Sequence, residues 1–311
     1  MNKNVVCLCC DANFFALAKG TVLSLLDLFP QRDLFDIAFL DIGLEPEQLS
    51  WLQERDIIIR HFDDTNIFTS LPDYFQNYHK SLVARPFLPK IFPGYDVYVQ
   101  CDTDIWIQNA ECIETFINYA RDYAPKVAIV PTVDLSYTFN YGHYTEGNYG
   151  RFIDMMQSWY TANYDENVKG FMYGRALFSA GVFALHASSD IWKRWAREFE
   201  VIYSKDLSEK MWAMHLSEQC ALNKVIYETG HFTPMDATYN YNCHIGTMKR
   251  DSKTDKVVID YPPYREIGAI HMTVSSQFMP DYLKNGILYQ SGAYLTEKER
   301  AQLALMGPKE V

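Results

Sequence analysis

The sequence predicts an α/β fold: one domain with a central, mostly parallel twisted sheet flanked by helices. Three observations predict it. Short β-rich apolar runs alternate with segments of helical period along the N-terminal third. Acidic turn residues follow closely on the ends of two of these runs. No Pro/Gly/Ser linker divides the 311 residues, so residues 1–275 are expected as one domain, with 276–311 as a C-terminal appendage packing on it.

Residues 5–9 form the first apolar run, followed by Asp11-Ala12-Asn13. A helix comes next, with Leu17, Thr21, Leu25 and Leu28 on one stripe, closed by Pro30. Residues 35–40 read as a strand, 46–54 as a short helix and 57–59 as another strand. Such alternation predicts a parallel sheet with right-handed crossovers. Ligands of such sheets bind beyond the carboxyl ends of the strands, and Asp11 and Asp102 both follow strand candidates.

In the second half, Cys112, Phe116, Ala120 and Tyr123 form a helical stripe, and 127–130 is a strand ending near Asp134. Residues 182–185 read as a strand, and Trp192, Trp195, Phe199 and Ile202 as the core face of the next helix. A further helix is expected over 208–227. Residues 137–175, dense in Tyr, Gly and Asn, read as a long irregular insertion, and the polar run 249–256 as an exposed loop.

Composition narrows the function. Hydrophobic residues at 48% supply a core, while a net charge of -11 argues against non-specific nucleic-acid binding and against docking on anionic lipid. Seven cysteines, with Cys7, Cys9 and Cys10 in one strand candidate, read as reduced buried thiols rather than a disulfide framework. Met1-Asn2-Lys3-Asn4 leads straight into a strand, and no apolar run approaches membrane-spanning length. The expectation is a soluble, cytoplasmic protein with no integral membrane segment.

The chemistry concentrates near residue 100. Val97 and Val99 lie in a run that delivers Asp102 and Asp104, and Ile105, Trp106 and Ile107 are apolar again. Side chains at i and i+2 of an extended chain point the same way, so both carboxylates can converge on one hard cation while Thr103 faces elsewhere. Hard oxygen ligands suit Mg²⁺ or Mn²⁺, which keep other coordination positions for substrate phosphates and water. Such a triplet also occurs as solvated turn residues. The apolar flanks count against that, because two charges in a buried neighbourhood require a compensating cation or proton.

Other candidates carry two readings each. Asp11 and Asn13 could cap a helix or grip a base or ribose, with Phe14 as an aromatic face. No glycine-rich phosphate loop accompanies them. Arg85, upstream of the aspartates, is either a surface charge or a bidentate partner for phosphate or carboxylate. Phe178-Ser179-Ala180-Gly181-Val182 joins a loop to a strand, and its small residues permit close packing or approach of a ligand to backbone amides. Glu218 and Gln219 lie on the helix candidate, as surface residues or as a site. His271, one of eight histidines, follows the apolar turn Ile267-Gly268-Ala269-Ile270 as a structural residue or a ligand.

Taken in order, these pieces resemble the retaining glycosyltransferases of family 8, which include bacterial lipopolysaccharide galactosyltransferases and glycogenin. The similarity spans roughly residues 4 to 275 through Cys9-Cys10-Asp11-Ala12-Asn13-Phe14, Ala84-Arg85, residues 95–104, Ser179-Ala180-Gly181-Val182, Glu218-Gln219 with Leu222-Asn223, and Ile270-His271. The resemblance implies a GT-A type fold, a UDP-sugar donor, a glycan or lipid-linked saccharide acceptor, and Mn²⁺ (or Mg²⁺) as cofactor. It implies that Asp102, Asp104 and His271 hold the metal, that Asp11 and Asn13 contact the nucleotide, and that Arg85 contacts the donor. Asp134, the Ser179-Ala180 backbone and Glu218 would contact the donor sugar, and Gln219 would lie near the anomeric carbon. Tyr141, Tyr144, Tyr149 and Trp159 could stack against an acceptor sugar; core packing or a protein interface is the other use for such aromatics.

The chain also departs from the family. The last motif commonly reads His-X-X-Gly-X-X-Lys-Pro-Trp, whereas here it runs His271-Met272-Thr273-Val274-Ser275-Ser276-Gln277-Phe278-Met279, without the glycine or the pyrophosphate-binding lysine. Losing a phosphate-side cation weakens donor binding by about 1–3 kcal/mol if nothing replaces it. Lys284 and Arg265 are the candidate replacements. Ser179 stands where Asn is usual and Cys220 where Asp is usual, and Pro86, Pro89 and Pro93 break the helix expected before the aspartates. The resulting expectation is a metal-dependent retaining hexosyltransferase. The alternatives are a non-catalytic nucleotide-sugar or glycan-binding relative, and a phosphohydrolase using the aspartates alone.

Overall fold

The computed structural model describes residues 3–67, 74–137, 149–205, 207–243, 245–272 and positions 297, 299 and 301. Tyr141, Tyr144, Lys284 and nearly all of 276–311 therefore lie outside the described residues, as do the side chains of 149–155.

The first strand, β1 (Asn4–Cys10), is buried along almost its whole length, as a strand covered on both faces of a parallel sheet must be. Helix α1 (Phe15–Leu28) covers one face, with Leu17, Thr21 and Leu25 buried, and the chain leaves it at Phe29 before Pro30. Strand β2 (Asp36–Asp41) follows. Helix α2 (Pro46–Gln53) is opened by a reciprocal cap between Glu45 and Gln48. Strand β3 (Ile58–His61), shifted from the expected 57–59, is largely exposed and forms one edge. The proline-rich stretch is short pieces: α3 (His79–Ala84), a 3₁₀ turn over Arg85–Phe87, and α4 (Leu88–Ile91). Proline lacks the N–H that a continuous helix needs, so Arg85 sits on a tight buried turn.

Strand β4 (Val97–Cys101) is wholly buried, and β5 (Ile105–Ile107) follows after three residues. Asn109 caps α5 (Ala110–Asp122) by accepting from Glu111 N at 3.0 Å. Cys112, Phe116 and Ala120 are buried there, while Tyr123 lies just past the helix and is exposed. Strand β6 (Val127–Pro131) completes this half.

Residues 137–175 correct an expectation. In place of a wholly irregular insertion, this stretch contains helices Tyr149–Asn163 and Glu166–Met172. Met156, Tyr160 and Tyr164 recur every four residues and are buried, and Asp165 caps the second helix through Asn167 N and Val168 N. Composition hid that pattern. Strand β7 (Phe178–His186) is longer than the expected 182–185 and takes in the small residues, so Ser179, Ala180 and Gly181 lie in a strand rather than a loop. The helix Ile191–Tyr203 buries Trp192, Trp195, Phe199 and Ile202 as expected.

The single helix expected over 208–227 is three pieces: a 3₁₀ turn Ser208–Lys210, then Met211–Met214 and Ser217–Thr229. At the break, Ser217 Oγ donates to Met214 O at 2.8 Å, satisfying a carbonyl that the ended helix leaves free. Short strands finish the fold: β8 (Phe232–Pro234), β9 (Tyr241–Asn242), β10 (Met248–Arg250), β11 (Val257–Ile259) and β12 (Ala269–His271). Residues 249–256 are thus partly strand, since β10 pairs antiparallel with β11.

The main sheet runs β3-β2-β1-β4-β7-β6-β8. Strand β7 is antiparallel to both neighbours, and the remaining pairings in this sheet are parallel. One core face packs against α1 and α5, and the other against helices Ile191–Tyr203 and Ser217–Thr229. A second sheet, β5-β12-β9, leans on the end of the first. The seven cysteines are free and six are buried. Among the described residues no helix is long and apolar enough to cross a membrane.

Candidate active site

Strands β1 and β4 are adjacent and parallel, so Asp11 and Asp102 leave the sheet on the same edge. The aspartate triplet is not a straight continuation of β4, as the extended-chain argument supposed. It is a turn between two sheets. Asp102 N donates to Gly181 O of the main sheet at 2.8 Å, whereas Asp104 O accepts from Met272 N beside the small sheet at 2.9 Å. Between them, Thr103 O accepts from Thr21 Oγ1 of α1 at 2.8 Å. Each carboxylate is anchored to a different sheet, and the turn aims both at one point.

Strand β12 pairs antiparallel with β5, and their register sets His271 opposite Ile105. His271 Nε2 lies 3.4 Å from Asp104 Oδ1, and both side chains are buried. One ligand atom each from Asp102, Asp104 and His271 lies within 4.8 Å of the others. That is close to the roughly 4 Å between opposite ligands of a small divalent ion. Two carboxylates and an imidazole are a donor set that such an ion accepts, so the residues fit a metal.

Arg85 joins this cluster to a third carboxylate. Its Nη1 donates to Glu218 Oε1 at 2.5 Å and its Nη2 to Asp102 Oδ1 at 2.6 Å. Arg85 and Glu218 side chains are only 7% and 4% exposed, which excludes the surface reading of both. Arg85 Nε and Glu218 Oε2 have no hydrogen-bond partner among the described residues. Three carboxylates thus face one guanidinium and one imidazole, an imbalance that a bound cation would relieve.

The electrostatics follow from this crowding. Burial raises the Asp102 and Glu218 carboxyls above their ordinary range even with Arg85 beside both. Burial also acts against ionised Asp104, but the charge and hydrogen bond of His271 overcome it and hold that carboxyl low. His271 is itself raised, because Asp104 outweighs the burial that would lower it.

Gln219 Oε1 accepts from Ala180 N at 3.1 Å, and Ala180 O receives Arg85 Nη1 at 3.3 Å. The Ala180 backbone is therefore engaged by the protein itself. Asn223 clasps Phe178 from both sides, with Oδ1 on its N–H at 2.8 Å and Nδ2 on its carbonyl at 2.9 Å. That clasp ties the helix carrying Glu218 and Gln219 to β7. Asp11 Oδ1 accepts from Asn13 N at 3.0 Å, closing the turn after β1. Asp134 lies on the loop after β6, where Oδ1 accepts from Ser136 and Oδ2 from Arg265 at 2.6 Å. Arg265 also grips both oxygens of Asp236, so its guanidinium is shared by two carboxylates. Trp159 packs against the core and Tyr137 is fully buried.

Two further residues shape the site around His271. Gly181 lies directly under His271, where a Cβ would come within 2.4 Å of the ring Cε1. Asn240, buried in the turn before β9, contacts His271 Nδ1 through Oδ1 at 2.8 Å and Ser179 Oγ through Nδ2 at 3.0 Å. The close approach of Gly181 was foreshadowed by the small-residue run. Asn240 stands far from His271 in sequence and carries no local signal.

Among solved structures, the galactosyltransferase LgtC in complex with donor and acceptor sugar analogs superposes at TM-score 0.55 and 14% identity, over 96% of this chain and 99% of that one. The fold is GT-A. A mouse xyloside xylosyltransferase matches at TM-score 0.50 and 14% identity over 88% of this chain and 97% of its own. The bifunctional glycosyltransferase WbbM matches at TM-score 0.56 and 14% identity over 97% of this chain, which spans 51% of that protein. No protein-family model and no curated protein sequence matches the chain. In a GT-A frame, the acidic turn after β4 is at the carboxyl edge of the sheet, where open α/β sheets take their ligands.

Proposed function

We propose that the chain is a metal-dependent retaining glycosyltransferase of family 8, moving a hexose from a UDP-sugar to a glycan or other hydroxyl acceptor. One observation carries the reading: Asp102, Asp104 and His271 converge on one point, with the buried Arg85–Glu218 pair directly beside it. The structural neighbours include a galactosyltransferase and a xylosyltransferase, which supports the reaction class.

Asp102, Asp104 and His271 would hold Mn²⁺ or Mg²⁺, which when bound supplies Lewis-acid stabilisation of a departing diphosphate. Asp11 and Asn13, at the end of β1, would orient the nucleotide. Glu218, fixed by Arg85, would bind the donor sugar, with Ser179 and the Ala180 backbone, whose N–H and C=O are already held by Gln219 and Arg85, lining the same pocket. Asp134 borders it in this reading. Gln219, held by Ala180 N, would sit near the anomeric carbon. An amide is a poor nucleophile, so retention is assigned to same-face attack by the acceptor hydroxyl through an oxocarbenium-like state. Residues that exclude water and fix the sugar are then the chain's main contribution.

The test is UDP release from a panel of UDP-sugars with Mn²⁺ present. Steady release that falls about 100-fold or more in Asp104→Asn supports the enzyme. Tight UDP binding with neither transfer nor hydrolysis across the panel would make the chain a binding relative. Inorganic phosphate or sugar phosphate as product would make it a hydrolase.

A further inference from the structure

We infer that Asn240 is the positioning residue of the proposed metal site: it fixes which ring nitrogen of His271 carries hydrogen, and so which one is free to ligate. The inference rests on the reading of Asp102, Asp104 and His271 as metal ligands.

Asn240 is 1% exposed and ends the 3₁₀ turn Ala237–Asn240. Parallel pairing of β9 with β12 sets Asn242 beside His271, and Cys243 N donates to His271 O at 3.1 Å. This pairing brings the Asn240 amide alongside the imidazole. The amide has two unlike ends, and its neighbours use both. Nδ2 donates to Ser179 Oγ at 3.0 Å, and that hydroxyl oxygen also accepts from Gly181 N at 3.4 Å. With its NH₂ turned toward Ser179, Asn240 presents Oδ1 to His271 Nδ1 at 2.8 Å. An amide oxygen can only accept. Nδ1 therefore carries a hydrogen whether the ring is charged or neutral, and Nε2, 3.4 Å from Asp104 Oδ1, is the nitrogen whose proton a metal ion would replace.

In the opposite neutral tautomer Nδ1 would lack a hydrogen, setting two acceptors against each other at Asn240 Oδ1 and leaving on Nε2 a hydrogen that blocks ligation. A metal-bound histidine ordinarily has its second nitrogen held by such an acceptor. Gly181 also packs against the ring, since a Cβ there would collide with Cε1 and Nδ1. Gly181 limits where the imidazole lies, and Asn240 decides which nitrogen it offers. Two strands and a turn meet in this relay: Ser179 on β7, His271 on β12, and Asn240 at the end of the 3₁₀ turn before β9.

The test uses the full chain without donor or acceptor. Mn²⁺ affinity is measured calorimetrically for wild type, Asn240→Leu and Asn240→Asp, and the histidine ring nitrogens are observed by NMR in the metal-free proteins. The expected result is Mn²⁺ binding about 10- to 100-fold weaker in Asn240→Leu. Recovery to within a few-fold is expected in Asn240→Asp, which keeps an acceptor facing Nδ1. Once neutral, the wild-type ring should show its hydrogen on Nδ1, and the neutral ring of the Leu variant should lose that preference. Wild-type Mn²⁺ affinity in a folded Asn240→Leu protein overturns the inference, as does a wild-type ring bearing its hydrogen on Nε2 alone. A Leu variant that fails to fold leaves the wild-type spectrum and the Asp variant to decide. If wild type binds no Mn²⁺, the metal reading fails, while the ring spectrum still judges the role of Asn240.

Discussion

Asp102 and Asp104 are two residues apart, yet their convergence comes from a turn between two sheets. The acidic pair was legible from residue type, because carboxylates between apolar runs imply a compensating charge. The turn was not, since it depends on pairing with Gly181 and Met272, far along the chain. The role of Gly181 is of the same kind. A Gly181→Ala variant must displace His271, because the added Cβ would lie 2.4 Å from the buried ring. The expected outcome is a fold kept at a cost of about 1–3 kcal/mol. Mn²⁺ affinity should fall at least tenfold, read by calorimetry beside a urea denaturation curve. Unchanged Mn²⁺ affinity would show that His271 is not a ligand.

At the scale of elements, α3 bears a titration unrelated to the acidic cluster. His79 is 1% exposed, and its Nδ1 accepts from Gln76 N at 2.8 Å while Nε2 has no partner among the described residues. Burial, aided by nearby His215, lowers its pKa to about 4. A histidine depressed in the folded state favours folding above its unfolded pKa, near 6.5. That contribution is lost as pH falls from about 6.5 toward about 4. Across this window wild type should lose about 2–3 kcal/mol that His79→Phe does not, measured by urea unfolding at a series of pH values. Parallel slopes would refute the assignment. Element boundaries were the least legible feature of the sequence. The helix over 208–227 breaks at His215–Leu216 with neither Pro nor Gly there to announce it. The helix Tyr149–Asn163 was hidden because its buried Met156 and Tyr160 stand among Tyr, Gly and Asn that suggest a loop.

At the scale of the molecule, the end of β1, proposed above for the nucleotide, and the acidic turn after β4 belong to one sheet. Metal and diphosphate are expected to bind there as a linked pair. Mn²⁺ and UDP together should raise the melting temperature by more than the sum of their separate shifts, since each stabilises only the folded state and each raises the affinity of the other. A chelator should return the UDP-bound protein to the shift of UDP alone. Strictly additive shifts would remove the shared site. The far end of the chain also touches this body: Lys19 of α1, a buried lysine, pairs with Glu299 at 2.6 Å.

The sequence by itself determined the α/β class, the succession of the main strands along the chain and the acidic pair, because period and residue type are local properties of the chain. Tertiary structure alone decided that β7 runs antiparallel, that Arg85 is spent on Glu218 and Asp102, that Arg265 is divided between Asp134 and Asp236, and that Asn240 faces His271. Each of these joins residues far apart in sequence. Their meeting is set by strand pairing and by the need of buried charges for partners, which no local pattern encodes.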